Sequence, residues 1–127
     1  MITNIIFDLD STLVTIEGID ELARMRGCIE SIAPLTQKAM AGELSFEEVF
    51  FNRLSLIQPT RQDIATLGIL YRENITPGAA ELVKSLHDRG QRVFVISGGY
   101  DPAVTQVTSL LGIPPFQVFA NQLKFYK

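Results

Sequence analysis

Two carboxylates, Asp8 and Asp10, stand two residues apart in Asp8-Leu9-Asp10-Ser11-Thr12, directly after the apolar run Ile5-Ile6-Phe7. On a continuing strand they would share a face. Where the chain turns they part, so one can attack while the other moves protons. Asp8 suits a nucleophile towards phosphorus that forms an aspartyl-phosphate. A bare carboxylate repels a phosphate dianion, and Mg²⁺ held by Asp8 and its neighbourhood would offset that repulsion. Asp10 could protonate a departing alkoxide and then activate water. Taken alone, an Asp-x-Asp pair is more often a turn or a helix cap. Ser97-Gly98-Gly99 follows a second apolar run, Val93-Phe94-Val95-Ile96. Its hydroxyl and flexible N–H groups could hold phosphate oxygens, although a glycine pair alone is commonly just a turn. Adjacent parallel strands would bring Asp8 and Ser97 together at one sheet edge.

The elements that must position these groups follow from the pattern. Both apolar runs end on polar clusters, as buried parallel strands do. Between them, Thr76 can cap a helix that Pro77 opens, with Leu82, Val83 and Leu86 as its stripe and Gly90 as its end. Asp101 and Pro102 open another, faced by Val104, Val107, Leu110 and Leu111 and ended by Gly112. Residues 116–123 read as a third strand. The result is an α/β fold: a partial doubly wound parallel sheet, Rossmann-like, with right-handed connections. Residues 1–16 and 76–127 form this core, and residues 17–75 read as an all-helical cap inserted after the first strand. Ser45 with Glu48, and Thr60 with Asp63, have the spacing of capping boxes inside that cap. Such an insert sits at the carboxyl end of a strand, where open α/β sheets bind ligands.

Composition narrows the class. A chain of 127 residues suffices for one domain with an insertion. The net charge of −3, with no run of Lys or Arg, argues against nucleic acid as a partner. No apolar run approaches the ~20 residues of a membrane helix, and Met1 to Phe7 lacks the basic start of a signal peptide. The single cysteine, Cys28, can form no internal disulfide; it fits a small buried hydrophobe in a reducing, cytoplasmic compartment.

Asp8-Leu9-Asp10-Ser11-Thr12 and Ser97-Gly98-Gly99-Tyr100-Asp101 resemble the first two motifs of the haloacid dehalogenase superfamily. Glu17, Asp20-Glu21-Leu22-Ala23, the stretch Ala39 to Phe46, Arg53 and Phe119 to Leu123 are similar to its phosphoserine-phosphatase-like branch. The resemblance implies a Mg²⁺-dependent hydrolase of phosphoserine that serves serine biosynthesis in the cytoplasm. It makes Asp8 the nucleophile and a metal ligand, and Asp10 the general acid/base with its carbonyl on the metal. Ser97 and Gly98, with Gly99 beside them, match the phosphate cradle. Glu17 would meet the substrate ammonium, Arg53 its carboxylate, and Met40 and Phe46 would line the serine pocket. A zwitterion does need an anion for its amine and a planar fork for its carboxylate.

The family carries two later motifs, a lysine and an acidic Mg²⁺ cluster. No Asp or Glu follows Asp101, and Lys124 and Lys127 come directly after the third strand. The expectation is a truncated form, inactive by itself, whose first strand offers an open edge to a second copy. Two alternatives keep the fold: a phosphatase for another small phosphorylated metabolite, and a non-catalytic remnant that binds a ligand or partner. A receiver domain fits poorly, because residues 50–57 contain no aspartate and the helical insert has no place in it.

Overall fold

The computed structural model describes residues 2–126. Its sheet has three parallel strands in the order β1-β2-β3: β1 (Asn4–Phe7), β2 (Arg92–Asp101) and β3 (Val118–Gln122). A wide turn, Leu9–Leu13, leaves β1, and then come α1 (Gly18–Met25), α2 (Ile29–Met40), α3 (Phe46–Ile57) and α4 (Arg61–Glu73). Helix α5 (Ala79–Asp88) returns the chain to β2, and α6 (Ala103–Leu110) with a 3₁₀ turn at Pro115–Gln117 leads to β3.

Both connections step the same way across the sheet. Right-handed crossovers in one direction put their helices on one face. Val93 and Val95 are accordingly fully buried. The alternate residues face the other way: Ile6, Ile96 and Phe119 are 63%, 54% and 55% exposed. Register pairs Ile6 with Phe94 and Ile96 with Phe119, so these side chains form one continuous apolar face. The expectation that Ile5-Ile6-Phe7 is a buried strand is therefore half right: the strand is parallel, but only one of its faces is covered.

Other boundaries move for identifiable reasons. β2 does not stop at Ser97 but runs through both glycines to Asp101, with its register on β3 shifted between Ile96 and Tyr100. Helix α5 starts at Ala79 after Gly78 in a left-handed conformation, because the Thr76 hydroxyl donates instead to the Thr12 carbonyl at 2.7 Å. Pro102 is the cap of α6, and the Asp101 carboxylate accepts from Thr105 N at 3.1 Å. Cys28 is half-buried at the start of α2 rather than enclosed.

The insert is held at both ends. Val14 bridges Ile75 in antiparallel fashion, Thr15 N donates to the Asn74 carbonyl at 2.8 Å, and Thr76 N donates to the Leu13 carbonyl at 2.9 Å. Both expected capping boxes form, at Ser45/Glu48 and Thr60/Asp63. Helix α4 buries Ile64, Leu67, Gly68 and Tyr71 and lies against α6. Gly68 permits the approach, since a Cβ there would stand 2.5 Å from the Gln106 side chain.

A sheet covered on one face should respond asymmetrically. Val95→Ala should cost about 2 kcal/mol through lost burial and a cavity, whereas Ile96→Thr should change stability by no more than ~0.5 kcal/mol. Urea denaturation of the two variants checks this, and equal losses would mean that both faces are covered in solution.

Candidate active site

The wide turn after β1 creates the site. The Asp8 carboxylate accepts from Leu9 N at 2.8 Å and is otherwise exposed. Ser11 takes a left-handed conformation (φ 56°), which costs a non-glycine residue about 1 kcal/mol. That bend returns the chain so that Ser11 N donates to the Ile16 carbonyl at 3.1 Å and the Ser11 hydroxyl to Glu17 at 2.7 Å. Asp10, half-buried, is turned towards the insert. Its Oδ1 accepts from Gly18 N at 2.9 Å and from the Tyr71 hydroxyl at 2.8 Å.

One cleft of about 190 Å³ gathers Asp8, Asp10, Glu17, Phe46, Arg53, Gly98 and Gly99. That is below the ~300 Å³ typical of drug-sized pockets and suits a small metabolite. Phe50, Tyr71 and Tyr100 complete its apolar side, with the rings of Phe50 and Tyr100 6.1 Å apart. Seven of the nine side chains and glycines expected from sequence thus meet here. Ser97 does not line the cleft: it is buried, and its Oγ accepts from Gly99 N at 2.9 Å. Met40 also stands apart, 85% exposed at the end of α2. At 3.6 residues per turn it lies about 140° round the helix from Leu35, which packs on the core.

Burial pushes the Asp10 carboxyl above its ordinary 3.8; the bonds from Gly18 and Tyr71 oppose that rise, and the charges of Glu17 and Asp8 add to it. Burial likewise raises the hydroxyl of Tyr71, with Asp10 beside it adding to the effect. Tyr100 is raised by burial too, with Arg53 pulling the other way. The Nε of Arg53 is buried and has no hydrogen-bond partner.

Asp8 and Asp10 offer oxygen donors only, which suits Mg²⁺, an ion often held by one or two carboxylates with water and phosphate. No group of three or more His, Cys, Asp or Glu side chains converges among the described residues.

The motifs assign no role to Gly18, Tyr71, Tyr100 or Asn121, although Tyr100 and Asn121 fall inside the stretches quoted above. Tyr71 falls on the apolar stripe of α4, four residues after Leu67, and a buried tyrosine hydroxyl needs a partner. Asn121 Nδ2 donates to the Gly98 carbonyl at 3.0 Å, fixing the peptide that faces the cleft.

The haloacid dehalogenase-like hydrolase family matches residues 5–125. The chain is 45% identical to the phosphoserine phosphatase of Bos taurus over 120 residues, covering 94% of this chain and 53% of that protein. It thus spans about half the length of the curated relatives it matches. A substrate-bound phosphoserine phosphatase complex superposes with a TM-score of 0.78 at 37% identity, covering 99% of this chain and 59% of the other. A phospho-aspartyl intermediate analogue of phosphoserine phosphatase gives 0.75 at 38% identity, covering 98% and 58%.

Two outcomes follow from the site's geometry. A Cβ at Gly18 would overlap the Tyr71 hydroxyl, which is locked in the core. Gly18→Ala should therefore lower stability by more than Gly68→Ala, whose Gln106 neighbour can swing aside; thermal unfolding of both variants checks the order. Asp10 supplies the pH dependence. Its folded pKa is raised, so the folded state binds more protons than the unfolded state from 3.8 upwards. Its contribution to stability is full below 3.8 and is lost as pH rises through the folded value. In metal-free protein, Asp10→Asn should flatten that decline in urea midpoints measured across the acid range, and an unchanged profile would refute the desolvated carboxyl.

Proposed function

The chain belongs to the haloacid dehalogenase-like hydrolase family, and from that premise we propose that its cleft is a phosphoserine phosphatase site. One observation carries the reading. Arg53, whose buried Nε has no hydrogen-bond partner, lines a small cleft with Glu17, and the same cleft opens onto Asp8. An anion, a cation and a nucleophile in that arrangement match the ammonium, carboxylate and phosphate of phosphoserine. The phosphoserine phosphatases among its relatives support the same substrate.

The chemistry follows from the side chains. The exposed carboxylate of Asp8 attacks phosphorus, and the bond from phosphorus to the serine oxygen breaks. Asp10, kept protonated to higher pH by its burial, gives its proton to that oxygen. The Asp10 carboxylate then takes a proton from water as the water oxygen attacks the aspartyl-phosphate, releasing inorganic phosphate and restoring Asp8. Gly98 leaves space for the phosphoryl group, since a Cβ there would meet no protein atom within 4 Å. Mg²⁺, held by the Asp8 carboxylate and the Asp10 carbonyl, would supply the charge neutralisation that lets an anion approach an anion. Glu17 and Arg53 orient the amino acid, and Phe46 closes over its short side chain. Ser97 acts through Gly99, whose N–H its hydroxyl engages, and Met40 would join only if the end of α2 turned inwards.

A second reading, binding without turnover, is favoured by the absence, among the described residues, of three or more His, Cys, Asp or Glu side chains placed to hold a metal ion together. A phosphomonoester other than phosphoserine is the variant in which Arg53 and Glu17 have no role. The reading places the protein in the cytoplasm. It also places a second copy against β1, which pairs only with β2 among the described residues.

Phosphate release from phosphoserine by the 127-residue protein with Mg²⁺ tests the proposal. Calorimetric binding with no phosphate release would favour the second reading, and neither signal would sink both. Given turnover, Asp8→Asn should slow it by several powers of ten, each tenfold being about 1.4 kcal/mol. Arg53→Ala should raise KM for phosphoserine by the equivalent of about 1.5–3 kcal/mol while sparing a phosphomonoester without a carboxylate. Equal effects on both substrates would assign Arg53 to the structure of the cap.

A further inference from the structure

Tyr71 lies in the last turn of α4 and is the largest side chain in the fully buried core. The helix that carries it is itself held against α6 by the close approach at Gly68. From this fixed base the tyrosine crosses from the insert to the turn after β1. Its hydroxyl passes between two glycine backbones: a Cβ at Gly18 would collide with it, and one at Gly99 would stand 3.3 Å away. The hydroxyl therefore touches the entry to α1, the phosphate-facing segment of β2, and Asp10.

We propose that Tyr71 is the positioning residue for Asp10. The hydroxyl at 2.8 Å and Gly18 N at 2.9 Å converge on the same oxygen, Oδ1. An oxygen that accepts two donors is a poor seat for a proton. Oδ2 takes neither of these bonds and is the oxygen left to meet substrate and water. Tyr71 also denies the carboxyl the rotation that would turn Oδ1 outwards. This proton-transfer half rests on the phosphatase reading, whereas the hold on Asp10 does not.

The experiment is a double-mutant cycle in the 127-residue protein with Tyr71→Phe and Asp10→Ala, read by urea denaturation. With Asp10 present, Tyr71→Phe should lower the folding equilibrium constant about fivefold. With Asp10→Ala in place, the same change should leave it within about twofold or raise it, because the hydroxyl has already lost its acceptor. A protected tyrosine hydroxyl proton in the NMR spectrum should be present in the wild type and missing from both single variants. Additive effects and no such proton would overturn the proposal. The kinetic arm separates positioning from packing: Tyr71→Phe should lower kcat for phosphoserine about tenfold with KM within about twofold, and an unchanged kcat would overturn the proton-transfer half. Absence of turnover in the wild type would count against the phosphatase reading, and the cycle with the hydroxyl proton would then decide on Tyr71 alone.

Discussion

A carboxyl group withdrawn from water must be given hydrogen bonds or stay neutral, and at Asp10 this structure does some of each. Much of the surrounding architecture answers that demand. Gly18 has to be a glycine because its N–H and the Tyr71 hydroxyl reach one oxygen from nearly the same place. Tyr71 can reach it only because α4 is set deep against α6. Ser11 accepts a left-handed backbone because the chain must double back within one turn to deliver Gly18. Asp8, two residues earlier, escapes these constraints and remains exposed. Two identical side chains thus stand in different surroundings, one half-buried and held by two hydrogen bonds and the other exposed.

The sheet presents a contrast between its two faces. One is packed with Val93, Val95 and the helices α5 and α6, and the other carries exposed Ile6, Ile96 and Phe119. The direction of the two crossovers imposes this difference, whatever the composition of the strands. Residues on the bare face are as apolar as those on the packed one, so the face has the chemistry of a buried layer. The site lies at the carboxyl end of these strands, and its groups are held from the covered side and from the insert.

Much of the fold is legible from local sequence because it depends on local chemistry. Ser45 with Glu48 and Thr60 with Asp63 announce two helix starts, and both are found at the expected residues. The order of strands and helices follows from apolar runs together with the caps, prolines and glycines that bound them. The misreadings arise where distant residues override local preference. Ser97-Gly98-Gly99 reads as a stop, yet pairing with β3 resumes at Tyr100 and carries β2 through it. Thr76 reads as a helix cap, yet the Thr12 carbonyl engages its hydroxyl from across the hinge. Ile6 reads as core because apolar residues usually are, and only the topology reveals that nothing described here lies over it. Residue types in the motifs point to Asp8, Asp10 and the glycines, and the family resemblance adds Glu17 and Arg53; all of them line the cleft. Both pass over Tyr71, whose side chain looks like one more member of an apolar stripe.

The bridge between Val14 and Ile75 has a further meaning. The insert leaves and re-enters the sheet layer at two points that are already hydrogen-bonded to each other, so the core experiences it as a closed loop of fixed span. The entropy of closing a loop grows only slowly with its length. The helical segment can therefore lengthen, shorten or exchange its contents with little cost to strand pairing, provided that the bridged ends are kept. Selectivity for what enters the cleft and integrity of the sheet become separable traits, free to drift at different rates in descendants of this sequence.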